Sequence, residues 1–214
     1  IVLRAIAAGE LPQVAVVVGD LAVLEMVNEQ QGLGLTLAAI GGAGEWQAER
    51  VNVVDAGMMQ REDVTPGKIS AAAGAAAREY VVRATRAALA GEIAAMVTLP
   101  MNKEATQLTD AKFTGHTELI GELCGSEDVT IMLASPDLIV THVSTHCSLR
   151  EAIERCRRPR IARIIELTWH ALHKLRSEPR LAVAGLNPHA GENGLFGRED
   201  IDEIRPAVEW ARAQ

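Results

Sequence analysis

Two histidines stand where an apolar run gives way to polar text. His146 closes "LIVTHVSTH" and His189 follows "LAVAGLNP", and each precedes a segment with helical character. If the two runs are neighbouring strands, both imidazoles reach one edge of a sheet. There they could hold a divalent metal, with a carboxylate or a third histidine completing the shell. Spacing alone leaves the other reading open, that of two unrelated histidines more than forty residues apart. His189 lies in "LNPHAGENGLFGRED", which gathers Asn187, three glycines and several acids within about a dozen residues. Glycine lets backbone approach a ligand closely, so that crowding exceeds what a plain turn requires.

The remaining polar groups are weaker signals. His142 precedes His146 by four residues, but on an extended segment that spacing spans roughly 13 Å, too far for one ion. It reads as structural, and His170 and His173 in "ELTWHALHKL" read as helix residues without chemistry. "KFTGHTE" places His116 and Thr117 at the mouth of a helix, where Thr117 could act as the N-cap and free N–H groups could meet an anion. A capped helix with a neighbouring surface histidine would look the same. "PMNKEA" sets Asn102 and Lys103 directly after an apolar run, a place for contact with an anionic substrate or simply for a solvated lysine. No GxxxxGK[ST], GxGxxG after a first strand, or GxSxG is present, which removes a P-loop, the usual dinucleotide fingerprint and the serine-hydrolase elbow.

The elements that must position these residues alternate. Residues 1–8 read as helix, "QVAVVVGD" as a strand, and "LAVLEMVNEQQG" as a helix with Gly32 as C-cap. "IGGAGEW" reads as a loop, "RVNVVDAG" as a strand and "TPGK" as a turn. The longest helix spans 69–92 with Ser70 near its start. "IAAMVTLP" then reads as a buried strand, followed by a helix over "HTELIGELCG", strands at "VTIMLAS" and "LIVTHVSTH", helices across 148–176, and a strand at "RLAVAGL". Alternating helices and apolar strands predict an α/β fold with a doubly wound, largely parallel sheet. Ligands in such sheets bind beyond the carboxyl ends of the strands, where the polar clusters fall.

Composition agrees. The 214 residues are 48% hydrophobic but only 3% aromatic, so the core must be aliphatic, as in parallel strands covered by helices. A net charge of −7 argues against a nucleic-acid surface, and "RCRRPR" at 155–160 reads as a solvated helix end. No run approaches the roughly 18 apolar residues of a membrane span, and no basic, apolar, small-residue signal pattern is read in these residues, so the chain is expected to be soluble. Three cysteines without CxxC spacing fit a reducing cytoplasm. The chain opens at "IVLRAIAAGE" without methionine, as a fragment would.

Taken in order, "PGKISAAAG", "TLPMNKEA", "FTGHTE", "STHCSLREAI" and "GLNPHAGENGLFGREDI" resemble the 4-hydroxythreonine-4-phosphate dehydrogenase family of pyridoxal phosphate biosynthesis, from about residue 13 to the end. The resemblance implies an isocitrate and isopropylmalate dehydrogenase-like fold of two α/β lobes with a cleft, with approximate lobes at 1–95 and 96–214. It implies a homodimer with the site at the subunit interface, and a divalent cation (Zn, Mg, Mn or Co) together with NAD or NADP. It gives His146 and His189 the role of metal ligands, and His116 and Thr117 that of substrate contacts, with Asn102, Lys103 and Asn187 as further possible contacts. The reaction implied is oxidation of a phosphorylated 3-hydroxy acid such as 4-phosphohydroxy-L-threonine, followed by decarboxylation. Relatives acting on phospho-threonate, phospho-erythronate or a dihydrodiol carboxylate share the motifs, and a non-catalytic binding module of the same fold is the alternative of another class. Two departures matter. The family's glycine-rich opening segment and its third metal histidine, which the partner subunit supplies, have no counterpart in residues 1–214, so this chain alone is expected to bind metal weakly and to be inactive.

Overall fold

In a computed structural model, residues 1–12, 14–126 and 128–214 are described. They form two compact units, Ile1–Glu127 and Asp128–Gln214.

The first unit begins with helix α1 (Val2–Ala7) and strand β1 (Val16–Gly19). Helix α2 (Leu21–Gln31) follows and ends on Gly32, whose φ of 60° is the left-handed C-cap that its sequence predicts. Strands β2 (Leu37–Ile40) and β3 (Val51–Asp55) complete a parallel sheet in the order β1-β3-β2. Val53 of the central strand is aligned with Val17 on one side and Ala39 on the other, and it is fully buried. Leu3 and Val51 join it in the core beneath α1 and α2. The first residue of the strand expected at 13–20, Gln13, lies outside the described residues.

Helix α3 (Ala71–Leu89) is capped by Ser70, whose hydroxyl accepts the Ala73 N–H at 3.4 Å. It packs on the short helix α4 (Lys103–Gln107) and on α5 (His116–Leu123). The α3–α4 contact is backbone against backbone, because a Cβ at Gly74 would stand 2.1 Å from the Ala105 carbonyl oxygen. That explains the single glycine in "AAAGAAA". Val81, Val82, Phe113 and Leu119 form the core between α3 and α5.

The second unit holds an antiparallel pair, β4 (Met132–Ala134) and β5 (Ile139–Thr141), then helices α6 (Leu149–Arg155) and α7 (Arg158–His173). A π-helical turn, Asp200–Ile204, runs into α8 (Arg205–Arg212). Cys156, Ile161, Ile204 and Ala207 form its core. The basic run at 155–160 behaves as a helix junction. Arg155 pairs with Glu151, Arg157 with Glu203, and Arg160 donates to the carbonyls of Val143 and Val129.

The architecture is α/β with a parallel sheet, yet two expected strands are absent. Neither 93–100 nor 180–186 pairs with another strand among the described residues. Val97 is 90% exposed and Val183 39% exposed. A strand is defined by its ladder to a neighbour, and an apolar run without one is extended chain. Among the described residues no helix is long and apolar enough to cross a membrane.

Candidate active site

The segment after Gly185 is a wound loop. His189, Ala190, Gly191, Glu192 and Asn193 all have positive φ, between 43° and 81°. Five consecutive residues thus turn left-handed, at about 1–2 kcal/mol for each that is not glycine. The turn is closed by backbone bonds from Ala190 N–H to the Asn187 carbonyl at 3.1 Å and from Phe196 N–H to the Gly191 carbonyl at 3.1 Å. Glycine is obligatory at its crossing point. A Cβ at Gly191 would lie 2.6 Å from the Gly197 carbonyl oxygen.

Asn187 works inside this loop. Its Nδ2 donates to Glu199 Oε2 at 2.8 Å and to Asp200 Oδ2 at 2.9 Å, which uses both amide hydrogens and leaves Oδ1 for a ligand. Burial pushes the Asp200 carboxyl pKa up, but the Asn187 and Leu186 N–H groups and the Asn187 amide outweigh burial and hold it below the usual carboxylate range. Glu199 is held low by its own N–H and by the Asn187 amide. The nearby Cys156 thiol is pushed up by burial and by Asp200, Glu203 and Glu199, so it is a poor nucleophile.

His189 is exposed at the start of the turn, its ring 6.3 Å from that of Phe196. His146, in the loop between β5 and α6, is also exposed and has a φ of 52°. Among the described residues neither imidazole makes a hydrogen bond, so their ring nitrogens are open to a ligand. The donor type fits a divalent cation. No group of three His, Cys, Asp or Glu side chains that could hold an ion occurs among the described residues, so the histidines can offer only part of a shell. His142 has the structural place expected of it, with Nδ1 3.3 Å from the Ile131 carbonyl oxygen. His173 stacks on Trp169 along α7.

In the first unit, His116 is the first residue of α5 and its Nε2 is buried without a hydrogen-bond partner. Thr117 is not the N-cap. Gly115 holds that position and no side chain caps the helix, because the helix begins one residue before Thr117 and leaves its hydroxyl past the first orphan N–H groups. The α5 N-terminus therefore keeps its N–H donors and positive dipole end. Asn102 caps α4, its Oδ1 accepting the Ala105 N–H at 2.9 Å, and Lys103 follows it, exposed. A Cβ at Gly115 would lie 3.0 Å from Glu118 Oε2 and 3.9 Å from Lys103 Nζ, so the structure brings a carboxylate and that ammonium together beside the helix end.

Residues 11–214 match the family model described as pyridoxal phosphate biosynthetic protein PdxA. The chain belongs to this family. It is 41% identical over 202 residues to the D-threonate 4-phosphate dehydrogenase of Cupriavidus necator, covering 92% of this chain and 60% of that protein. The crystal structure of 4-hydroxythreonine-4-phosphate dehydrogenase from Klebsiella pneumoniae superimposes with a TM-score of 0.85 at 38% identity, over 92% of this chain and 61% of that one. A terephthalate 1,2-cis-dihydrodiol dehydrogenase from Burkholderia xenovorans gives a TM-score of 0.63 at 28% identity, over 99% of this chain and 65% of that one. The chain thus spans about 60% of the length of the curated relatives it matches.

Sequence reasoning on this PdxA-family chain missed two buried carboxylates. Asp200 is one. The other is Asp20, 2% exposed at the end of β1, which accepts the Met58 N–H at 2.8 Å and the Tyr80 hydroxyl. Both follow a strand or precede a helix, where an acid reads as a routine cap. Their partners lie 13 to 60 residues away, beyond any local motif.

Proposed function

We propose that this chain carries the metal-binding and substrate-binding segments of a dehydrogenase that oxidises a phosphorylated 3-hydroxy acid with NAD or NADP, assisted by a divalent cation, with decarboxylation of the product. The names of the relatives supply the substrate class, since D-threonate 4-phosphate and 4-hydroxythreonine 4-phosphate are both hydroxy acids carrying a 4-phosphate.

The observation that carries the reading is the positive φ that His146 and His189 share. Each holds an exposed imidazole on a residue of positive φ, a costly conformation that clusters at functional sites. The role of this pair is to hold a divalent cation, with a third donor from a second subunit of a homodimer. A bound cation supplies Lewis acidity that eases loss of a hydroxyl proton and stabilises the carbanion left by decarboxylation, while nicotinamide accepts the hydride. His116 offers its unpartnered Nε2 to a polar group of the substrate, and the uncapped α5 N-terminus and Lys103, with the Glu118 carboxylate beside them, meet the substrate's charged end. Thr117, Asn102 and Asn187 Oδ1 are the further polar groups within these segments. Three thiols outside any disulfide fit a cytoplasmic setting.

The test is turnover by the purified gene product with D-threonate 4-phosphate and 4-hydroxythreonine 4-phosphate, each with NAD and NADP, before and after chelation. Reduction of nicotinamide that chelation abolishes and Zn²⁺, Mg²⁺, Mn²⁺ or Co²⁺ restores is the expected result. Turnover of neither phosphate, or turnover indifferent to chelation, overturns the reading.

A further inference from the structure

Asp200 occupies an unusual place in the second unit. It is 6% exposed, and both carboxylate oxygens are engaged by one short stretch of chain. Oδ1 accepts the Leu186 N–H at 2.9 Å, and Oδ2 accepts the Asn187 N–H at 3.0 Å and the Asn187 Nδ2 at 2.9 Å. These donors are the last two residues before Pro188 and His189. The carboxylate also lies close to the backbone on both sides of the histidine. A Cβ at Gly185 would stand 3.0 Å from Oδ1, and one at Gly191 would stand 3.8 Å from Oδ2. Asp200 itself is rooted in the core through the turn that carries buried Ile204 and leads to buried Ala207.

We propose that Asp200 is a positioning residue for His189: its buried carboxylate staples the loop entry at Leu186 and Asn187 to the π-helical turn that leads into α8, and so fixes the left-handed turn on which the imidazole is presented. The proposal rests on the reading of His189 as a metal ligand. Asp200 acts through the loop and not on the ion, because three hydrogen bonds already engage its oxygens. The left-handed turn explains why a charged anchor is needed. The right-handed alternative is intrinsically favoured for His189, Ala190 and Glu192, and charge-assisted hydrogen bonds are roughly twice as strong as neutral ones. Loss of the anchor lets the loop relax and scatters the imidazole over many orientations.

The experiment titrates Co²⁺ into the metal-free gene product, its Asp200→Asn form and its His189→Ala form, following visible absorption, with circular dichroism and melting of the metal-free proteins alongside. Asp200→Asn is expected to keep the metal-free fold, to bind Co²⁺ about 10- to 100-fold more weakly, the usual effect of losing a group that orients a ligand, and to alter the absorption band. Wild-type affinity and spectrum in Asp200→Asn, with binding lost in His189→Ala, overturns the positioning role alone. Unchanged binding in His189→Ala overturns the metal reading beneath it. Amide exchange in the wild-type chain decides the matter even where Asp200→Asn does not fold. Leu186 and Asn187 amides as protected as those of α8 support the staple, and free exchange at both overturns it.

Discussion

His146 and His189 share the same unusual backbone φ, 52° and 53°. Each imidazole is carried on a residue wound against the preference of its own Cβ, so removal of the side chain and removal of the backbone cost can be separated. Glycine at either position loses the imidazole but relaxes the backbone, whereas alanine loses the imidazole and keeps the cost. His146→Gly and His189→Gly should each be about 1 kcal/mol more stable than the matching alanine variants, while all four lose metal affinity. Denaturant melts and metal titrations on the four proteins check both halves.

His116 should behave differently. A charge-assisted hydrogen bond from its ring to substrate would contribute about 1.5–3 kcal/mol, so His116→Ala in the gene product should lower kcat/KM by roughly ten- to two-hundred-fold. Metal content should remain that of the wild type. Loss of metal in this variant, or unaltered kinetics, would remove His116 from substrate binding.

Tyr80 and Asp20 set an alkaline limit on the first unit. Burial, followed by the hydrogen bond and charge of Asp20 and the charge of Asp55, pushes the Tyr80 phenol well above its ordinary value. A raised folded pKa means that the stabilisation is fully present below the unfolded value of about 10 and is lost as pH climbs from there towards the folded pKa. Tyr80→Phe should cost about 1.5–3 kcal/mol at neutral pH, because a buried carboxylate loses its hydroxyl donor. Its stability should then be flatter than that of the wild type above about pH 10. Urea melts across pH 7 to 11 would reveal an unchanged alkaline slope if the pair does not govern it.

Gly74→Ala tests the α3–α4 contact. A methyl group in ordinary helix surface would stabilise by up to about 1 kcal/mol. Here its Cβ would meet the Ala105 carbonyl oxygen at 2.1 Å, so the substitution should destabilise by about 1–3 kcal/mol or more. A rise in melting temperature would show that the two helices do not meet at that point.

These contrasts indicate what the sequence carries. Gly32 and Ser70 announce their helix ends because capping is decided within a few residues, and the strands β1 and β3 are visible as aliphatic runs. The same aliphatic signal misleads at 93–100 and 180–186, since strand formation depends on a partner that periodicity cannot reveal. At the candidate site, the glycines of "HAGENG" announce an unusual turn. The left-handed state of Ala190 and Glu192 is not legible, because neither residue favours it and only the distant Asp200 and the Gly191–Gly197 crossing impose it. His116 is legible by position, but its buried, unpartnered Nε2 is a property of packing.

The left-handed run at 189–193 also has a chirality of its own. At Ala190, with φ 51° and ψ 42°, the backbone occupies the mirror image of the region that L-alanine prefers and the natural basin of D-alanine. A chain assembled by chemical ligation with D-alanine at this one position would relax where the genetically encoded residue is strained. Across the run, tolerance to encoded substitution should follow ease of left-handed winding: glycine first, then asparagine and aspartate, and β-branched residues last. The segment that presents His189 is thus written in an alphabet narrower than its exposure to solvent would require.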